Sequence, residues 1–162
     1  FFIPSFSNDV HHELELVVRI NRVGKSIEEK FANRYYNEIS VGIDFTARDI
    51  QAECKKKGLP WEKAKAFDGS APVGDFIKLS ENQNIQDLEI ELKKNNEIVQ
   101  KVNTEKMLFT VDQIISYVSQ YITLKIGDLI FTGTPSGVGP VVIHDQLEAF
   151  IGEKKLLKLN IK

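Results

Sequence analysis

The sequence is short of several things, and each shortage excludes something. It has one cysteine, Cys54, in 162 residues. No internal disulfide can form, which suits a reducing cytoplasm. Cys54 lies in a lysine-rich helical pattern, so a surface thiol is expected there rather than a nucleophile. No apolar run approaches the length of a membrane-spanning helix. The opening residues do not form a secretory-leader pattern. Charge of one sign is also scarce, because 21 Lys+Arg against 23 Asp+Glu leave a net charge of −2. The basic residues are scattered, which argues against a nucleic-acid surface. The one methionine is Met107, and the chain opens on Phe1-Phe2-Ile3-Pro4. We therefore expect an N-terminal piece of the protein to lie outside these residues.

What is present has an ordinary globular balance, 42% hydrophobic and 27% charged. The length fits one domain, residues 1–162, with a real core. The most informative stretch is His11-His12-Glu13-Leu14-Glu15-Leu16. Leu14, Leu16, Val18 and Ile20 alternate with Glu13, Glu15, Val17 and Arg19. That period of two predicts a strand with one apolar face. It puts Glu13 and Glu15 on the same side, about 7 Å apart. Two readings are open for this pair. It is a solvated polar edge, or it is two hard oxygen ligands for a divalent ion that a third acid must complete.

A second strand is expected from Glu38 to Thr46. Ile39, Val41, Ile43 and Phe45 take one face, and Ser40, Gly42, Asp44 and Thr46 the other. Gly42 should leave room for something to approach beside Asp44. Between the two strands, Ser26-Ile27-Glu28-Glu29 predicts a capping box and a short helix to about Tyr36. Ala47 to Lys57 predicts a helix, closed by Gly58 and with Lys55-Lys56-Lys57 complementing its dipole. Arg48 and Gln51 share a face of it. Trp61 to Gly74 is expected to be irregular. In it Lys65 either snorkels to water or is held pointing into a site.

Asn95-Asn96 predicts a hairpin between Leu88–Leu92 and Ile98–Val102, with a structural role. Thr110-Val111-Asp112-Gln113 caps a further helix, with Val111, Ile114, Ile115, Val118 and Ile122 as its core face. Leu129-Ile130-Phe131 is expected as a short buried strand. It runs into Thr132-Gly133-Thr134-Pro135-Ser136-Gly137-Val138-Gly139-Pro140. This loop lacks the Gly-Lys-Ser/Thr and the following helix of a phosphate-binding loop. Its three Gly and two Pro specify a fixed path, which favours a pocket-lining loop over a plain turn. Two strands around Gly152 end the chain. The whole predicts an α+β, strand-rich domain with a rolled or barrel-like sheet.

Three candidate acids emerge: Glu13, Glu15 and Asp44. Three carboxylates with waters suit octahedral Mg²⁺ or Mn²⁺ and suit Zn²⁺ poorly. His11 is in phase with the glutamates but is expected beside the site or at the surface. His144 has no partner in the pattern and is expected at the surface.

The ordered set His12-Glu13-Leu14-Glu15-Leu16, Asp44-Phe45-Thr46-Ala47-Arg48-Asp49-Ile50-Gln51, Lys57-Gly58-Leu59-Pro60-Trp61 with Lys65, and Thr132-Gly133-Thr134-Pro135 with Gly137-Val138-Gly139-Pro140 resembles the fumarylacetoacetate hydrolase family. The likeness is to its small acylpyruvase and oxaloacetate decarboxylase branch, and it covers nearly the whole chain. It implies a mixed β-sandwich roll and a homodimer. It implies Mg²⁺ or Mn²⁺ on Glu13, Glu15 and Asp44, and a substrate pocket lined by Arg48, Gln51, Lys65 and Thr134. The implied chemistry is hydrolysis of acylpyruvates, decarboxylation of oxaloacetate, or both, through a pyruvate enolate stabilised by the ion. Lys65 and Arg48 would add positive charge where the enolate or a carboxylate sits. Family members carry a water-activating His and Glu on an N-terminal lid segment. The residues from Phe1 onward do not include such a segment, so weak hydrolase competence is expected of these residues alone. The same family offers an alternative, an isomerase or hydratase of 2-oxo acids from aromatic breakdown. A non-catalytic β-rich binding module is the alternative from another class.

Overall fold

The computed structural model describes residues 1–80 and 83–162. In chain order its elements are β1 (Val10–His12), β2 (Leu14–Ile20), α1 (Glu29–Ala32), β3 (Tyr36–Ile43), β4 (Thr46–Ala47), α2 (Arg48–Lys57), α3 (Glu62–Lys65), β5 (Ile77–Lys78), β6 (Glu89–Lys94), β7 (Glu97–Asn103), α4 (Val111–Tyr121), β8 (Leu129–Phe131), β9 (Gly139–Pro140), β10 (Gln146–Ile151) and β11 (Lys154–Asn160). They form two four-stranded sheets, ordered β5-β3-β2-β8 and β11-β10-β6-β7, and a three-stranded one, β4-β1-β9. All the recorded strand pairs are antiparallel. This is the strand-rich α+β architecture expected of the family.

The apolar alternation builds the core. Leu14, Leu16, Val18 and Ile20 are at most 1% exposed, and Ile39, Val41, Ile43 and Phe45 are fully buried. They pack against Ile90, Leu92, Leu147, Ala149 and Ile151 of the second sheet and Val111 and Ile115 of α4. Side chains pointing to opposite faces of β2 therefore meet different surroundings. The expectation of a single apolar face needs correction, however, because Val17 and Ser40 on the other face are also fully buried. The reason is visible at Gly42. A Cβ there would meet Phe131 Cε1 at 2.6 Å and Val17 Cγ2 at 2.8 Å. The space left by Gly42 is filled by the side chains of Phe131 and Val17, not kept for a ligand.

Several local expectations hold. Asn95 and Asn96 both adopt left-handed backbone, φ 53° and 70°, as a tight hairpin turn requires. Thr110 and Gln113 form a reciprocal capping box at the start of α4. α2 ends at Gly58 in left-handed conformation, with its three lysines in the last turn.

Others fail for physical reasons. Ser26 caps nothing: its φ is 52°, and the Ser26 and Ile27 N–H groups donate to the Ser119 carbonyl and hydroxyl. α1 is one turn, and Tyr36 already belongs to β3. Cys54 is fully buried on the inner face of α2, not a surface thiol. Ile122 lies past the end of α4 and is 60% exposed, and Leu129 is 41% exposed. Trp61–Gly74 is less irregular than expected, because α3 places Lys65 at its end.

The site is positioned where the chain changes sheets. β1 and β4 belong to the small sheet, β2 and β3 to a large one. The crossings fall at Glu13 and at Asp44-Phe45. Across this corner the Asp44 N–H donates to the Glu13 carbonyl at 2.8 Å. Glu15 pairs with Gly42 one step away. The corner thus brings three acids from two strands into one place.

Candidate metal centre

Glu13, Glu15 and Asp44 each offer a carboxylate oxygen, and the three oxygens lie within 4.8 Å of one another. Glu13 and Glu15 are 7% and 5% exposed. Such a group of like charges is stable only with cations close by. Two side chains supply part of that charge. The Lys65 ammonium donates to Glu13 Oε2 at 2.8 Å, Asp44 Oδ2 at 2.6 Å and Thr46 Oγ1 at 2.6 Å. Lys65 therefore points into the cluster rather than out to water. Arg48 donates to Glu13 Oε1 at 2.5 Å and to Gln51 Oε1 at 2.8 Å. Arg48 opens α2, where the helix dipole disfavours a cation. Its hold comes from Glu13 and from buried Gln51 instead. On the far side, the Gly133 N–H donates to Glu15 Oε2 at 2.6 Å. The Gly- and Pro-rich loop thus meets the cluster through a backbone donor.

The titration of the acids follows from these contacts. Burial pushes Glu15 up to about 7. The Gly133 bond opposes this, and the charges of Asp44 and Glu13 add to it. Burial also raises Asp44, and the Lys65 bond offsets only part of the rise. Burial would raise Glu13 as well, but Lys65 and Arg48 outweigh it and hold Glu13 below its ordinary value. Three carboxylates face two cations, so the fully ionised cluster is one positive charge short. Hard oxygen donors, clustered and short of positive charge, fit a divalent ion such as Mg²⁺ or Mn²⁺. Both Glu13 oxygens already accept hydrogen bonds, and each keeps a further lone pair.

The remaining candidates fall around this centre. Thr134 follows Gly133 and is half-buried. Its hydroxyl accepts from Gln100 Nε2 at 2.9 Å. His11 bonds Asp9 at 2.9 Å, and exposed His144 sits in a turn with φ 80°. His12 is buried, with Nδ1 3.0 Å from Gln100 Oε1, and burial lowers its pKa. Two contributors were not foreseen, the Thr46 hydroxyl on Lys65 and Gln100, whereas the Gly133 N–H on Glu15 comes from the loop expected to line a pocket. Thr46 carried a weak signal as a polar residue in phase with Asp44. Gln100 carried none, since its strand looked purely structural.

The fumarylacetoacetate (FAA) hydrolase C-terminal family model matches residues 1–162. This chain belongs to that family. Among family members, the mitochondrial oxaloacetate tautomerase FAHD1 of Mus musculus is 43% identical over 160 residues, covering 99% of this chain and 72% of that protein. The mitochondrial oxaloacetate decarboxylase of Dictyostelium discoideum is 42% identical over 139 residues, covering 86% of this chain and 64% of the relative. A crystal structure of fumarylpyruvate hydrolase from Pseudomonas aeruginosa, in complex with Mn²⁺ and pyruvate, superposes with a TM-score of 0.93 at 34% identity. It covers 99% of this chain, which spans 69% of that one. Two of these names place the proteins in mitochondria, whereas the cysteine content led us to expect the cytoplasm. No helix among the described residues is long and apolar enough to cross a membrane.

Proposed function

We propose that this domain binds one divalent cation, Mg²⁺ or Mn²⁺, through Glu13, Glu15 and Asp44 and acts on small 2-oxo acids. The proposed reactions are hydrolysis of acylpyruvates to pyruvate and a carboxylate, decarboxylation of oxaloacetate, or both. One observation carries the reading: three acids from separate stretches, Glu13 and Glu15 buried and Asp44 half-buried, converge at one corner with less positive charge than they need. Relatives named for oxaloacetate and fumarylpyruvate chemistry support it. The cation, when bound, supplies Lewis-acid polarisation of the 2-oxo acid.

The chain's own residues do the rest. The Lys65 ammonium sits beside Glu13 and Asp44 and places positive charge where an enolate oxygen develops when the C3–C4 bond breaks. Arg48, braced by Gln51, is preset to hold a carboxylate through its planar donors. Thr134 adds a hydroxyl from the loop side. Both reactions leave the same enolate, which takes a proton at C3 to give pyruvate.

A second reading is favoured by the relatives named oxaloacetate tautomerase. It is keto–enol interconversion of oxaloacetate, in which the C3 proton moves and no carbon–carbon bond breaks. Homodimerisation belongs to the proposal as well.

The test uses the full chain with Mn²⁺. Pyruvate release is followed from oxaloacetate and from acetylpyruvate, beside the enol absorbance of oxaloacetate. Metal-dependent pyruvate release that EDTA abolishes is the expected result. Faster enol decay without pyruvate selects the tautomerase reading. No metal-dependent change in either substrate overturns both.

A further inference from the structure

Gln100 stands on β7, in the opposite sheet from the acids, yet it reaches the site through two elements at once. Its Oε1 accepts from the Leu14 N–H, between Glu13 and Glu15, at 3.0 Å and lies 3.0 Å from His12 Nδ1. Its Nε2 donates to Thr134 Oγ1 at 2.9 Å and to the Pro135 carbonyl at 3.1 Å. The amide orientation is unambiguous, because a backbone N–H only donates and a carbonyl only accepts. Gln100 is 2% exposed, so it has no water to turn to. The loop is also pressed onto β7 at this point. Gly137 has φ 99°, and a Cβ there would collide with the Val99 carbonyl oxygen and lie 3.2 Å from Gln100 Cγ.

The consequence concerns the direction of one hydrogen. The Thr134 oxygen accepts the hydrogen bond of the Gln100 amide and donates to no group among the described residues. Its own hydrogen is therefore free for a ligand. We propose that Gln100 is a positioning residue of the site, which fixes the Thr134 hydroxyl as a donor toward the 2-oxo acid while tying that loop to the Glu13–Glu15 backbone. This inference rests on the function proposed above.

The test is a double-mutant cycle on the full chain with Gln100→Glu, Thr134→Val and both together. Gln100→Glu keeps an acceptor for Leu14 but replaces the donor with a second acceptor. The Thr134 hydrogen then turns inward, away from a ligand. Binding of Mn²⁺, binding of oxalate to the Mn²⁺-loaded protein, and the kcat and KM for oxaloacetate are measured. Gln100→Glu should keep Mn²⁺ binding, weaken oxalate about tenfold and raise KM more than it lowers kcat. The double variant should be no worse for oxalate than Thr134→Val alone. Should the buried carboxylate unfold the domain, Gln100→Met, neutral and similar in length, carries the same oxalate prediction. Unchanged oxalate binding, or effects that add in full in the double variant, overturn the inference. A wild-type chain that binds neither Mn²⁺ nor oxalate overturns the functional reading instead.

Discussion

The chain contains the same three-residue pattern twice. Glu13-Leu14-Glu15 ends at the sheet corner, and Glu89-Ile90-Glu91 lies on β6 of the second sheet. Both put two glutamates on one face of a strand. Their surroundings differ. Opposite Glu91 stands Lys101, whose ammonium lies 2.8 Å from Glu89 and 3.1 Å from Glu91. Lys93 adds a further contact at 3.4 Å. Opposite Glu15 stands Gly42, and beside Glu13 stands Asp44, a third acid. The Glu89–Glu91 pair, with Glu89 exposed and Glu91 buried, is neutralised by lysines on its own and the neighbouring strand. The Glu13–Glu15 pair is crowded by another carboxylate in a buried corner. Spacing alone therefore does not make a cation site; the cross-strand neighbour decides.

The largest expected effect is at Asp44. Asp44→Asn removes the third acid and should lower metal-dependent turnover of oxaloacetate about a thousandfold or more. Glu91→Gln should leave turnover unchanged, and equal losses in steady-state assays would erase the contrast. Next comes Lys65→Met, expected to lower kcat about a hundredfold without weakening Mn²⁺ binding. A loss of Mn²⁺ affinity in a titration would show that Lys65 organises the acids rather than serving the reaction.

A third effect sharpens the contrast through pH. Burial, with repulsion from Asp44 and Glu13, raises Glu15 from an ordinary 4.5 to about 7. A raised carboxylate holds its proton better folded than unfolded. Its contribution to stability is full below about pH 4.5 and is lost as pH rises through about 7. Metal-free protein should melt at progressively lower temperature across that window. Glu15→Gln should flatten the trend, and an unaltered slope in thermal melts with EDTA would contradict the assignment. The smallest effect is at the other glutamate pair. Lys101→Ala should shift the melting midpoint by no more than about 2 °C, because its bridge to Glu89 is exposed and Lys93 still pairs with Glu91. A larger shift would mean that the β6 pair matters more than these contacts imply.

Much of this contrast was legible where the signal is local. The Asn95-Asn96 turn, the Thr110–Gln113 box and the alternation around Glu13 and Glu15 depend on neighbours in the chain. Asp44 was legible as an acid among small residues, though the reason inferred for Gly42 was wrong. Cys54, Ser26 and Ile122 were misjudged because their surroundings come from elsewhere. Ser119 satisfies the backbone at Ser26 and Ile27 from 92 residues away at the closer pair. Gln100 reaches Leu14 across 86 residues. Neither long-range pairing leaves a periodic trace, so pattern reading had no access to them.

The most direct measurement is a calorimetric titration of Mn²⁺ into the metal-free full chain, beside Asp44→Asn and Glu91→Gln. Saturable binding at one site in the wild type and in Glu91→Gln, absent in Asp44→Asn, is the predicted result. A wild-type chain that takes up no ion, or an Asp44→Asn variant that binds as well as wild type, would contradict the corner as a cation site.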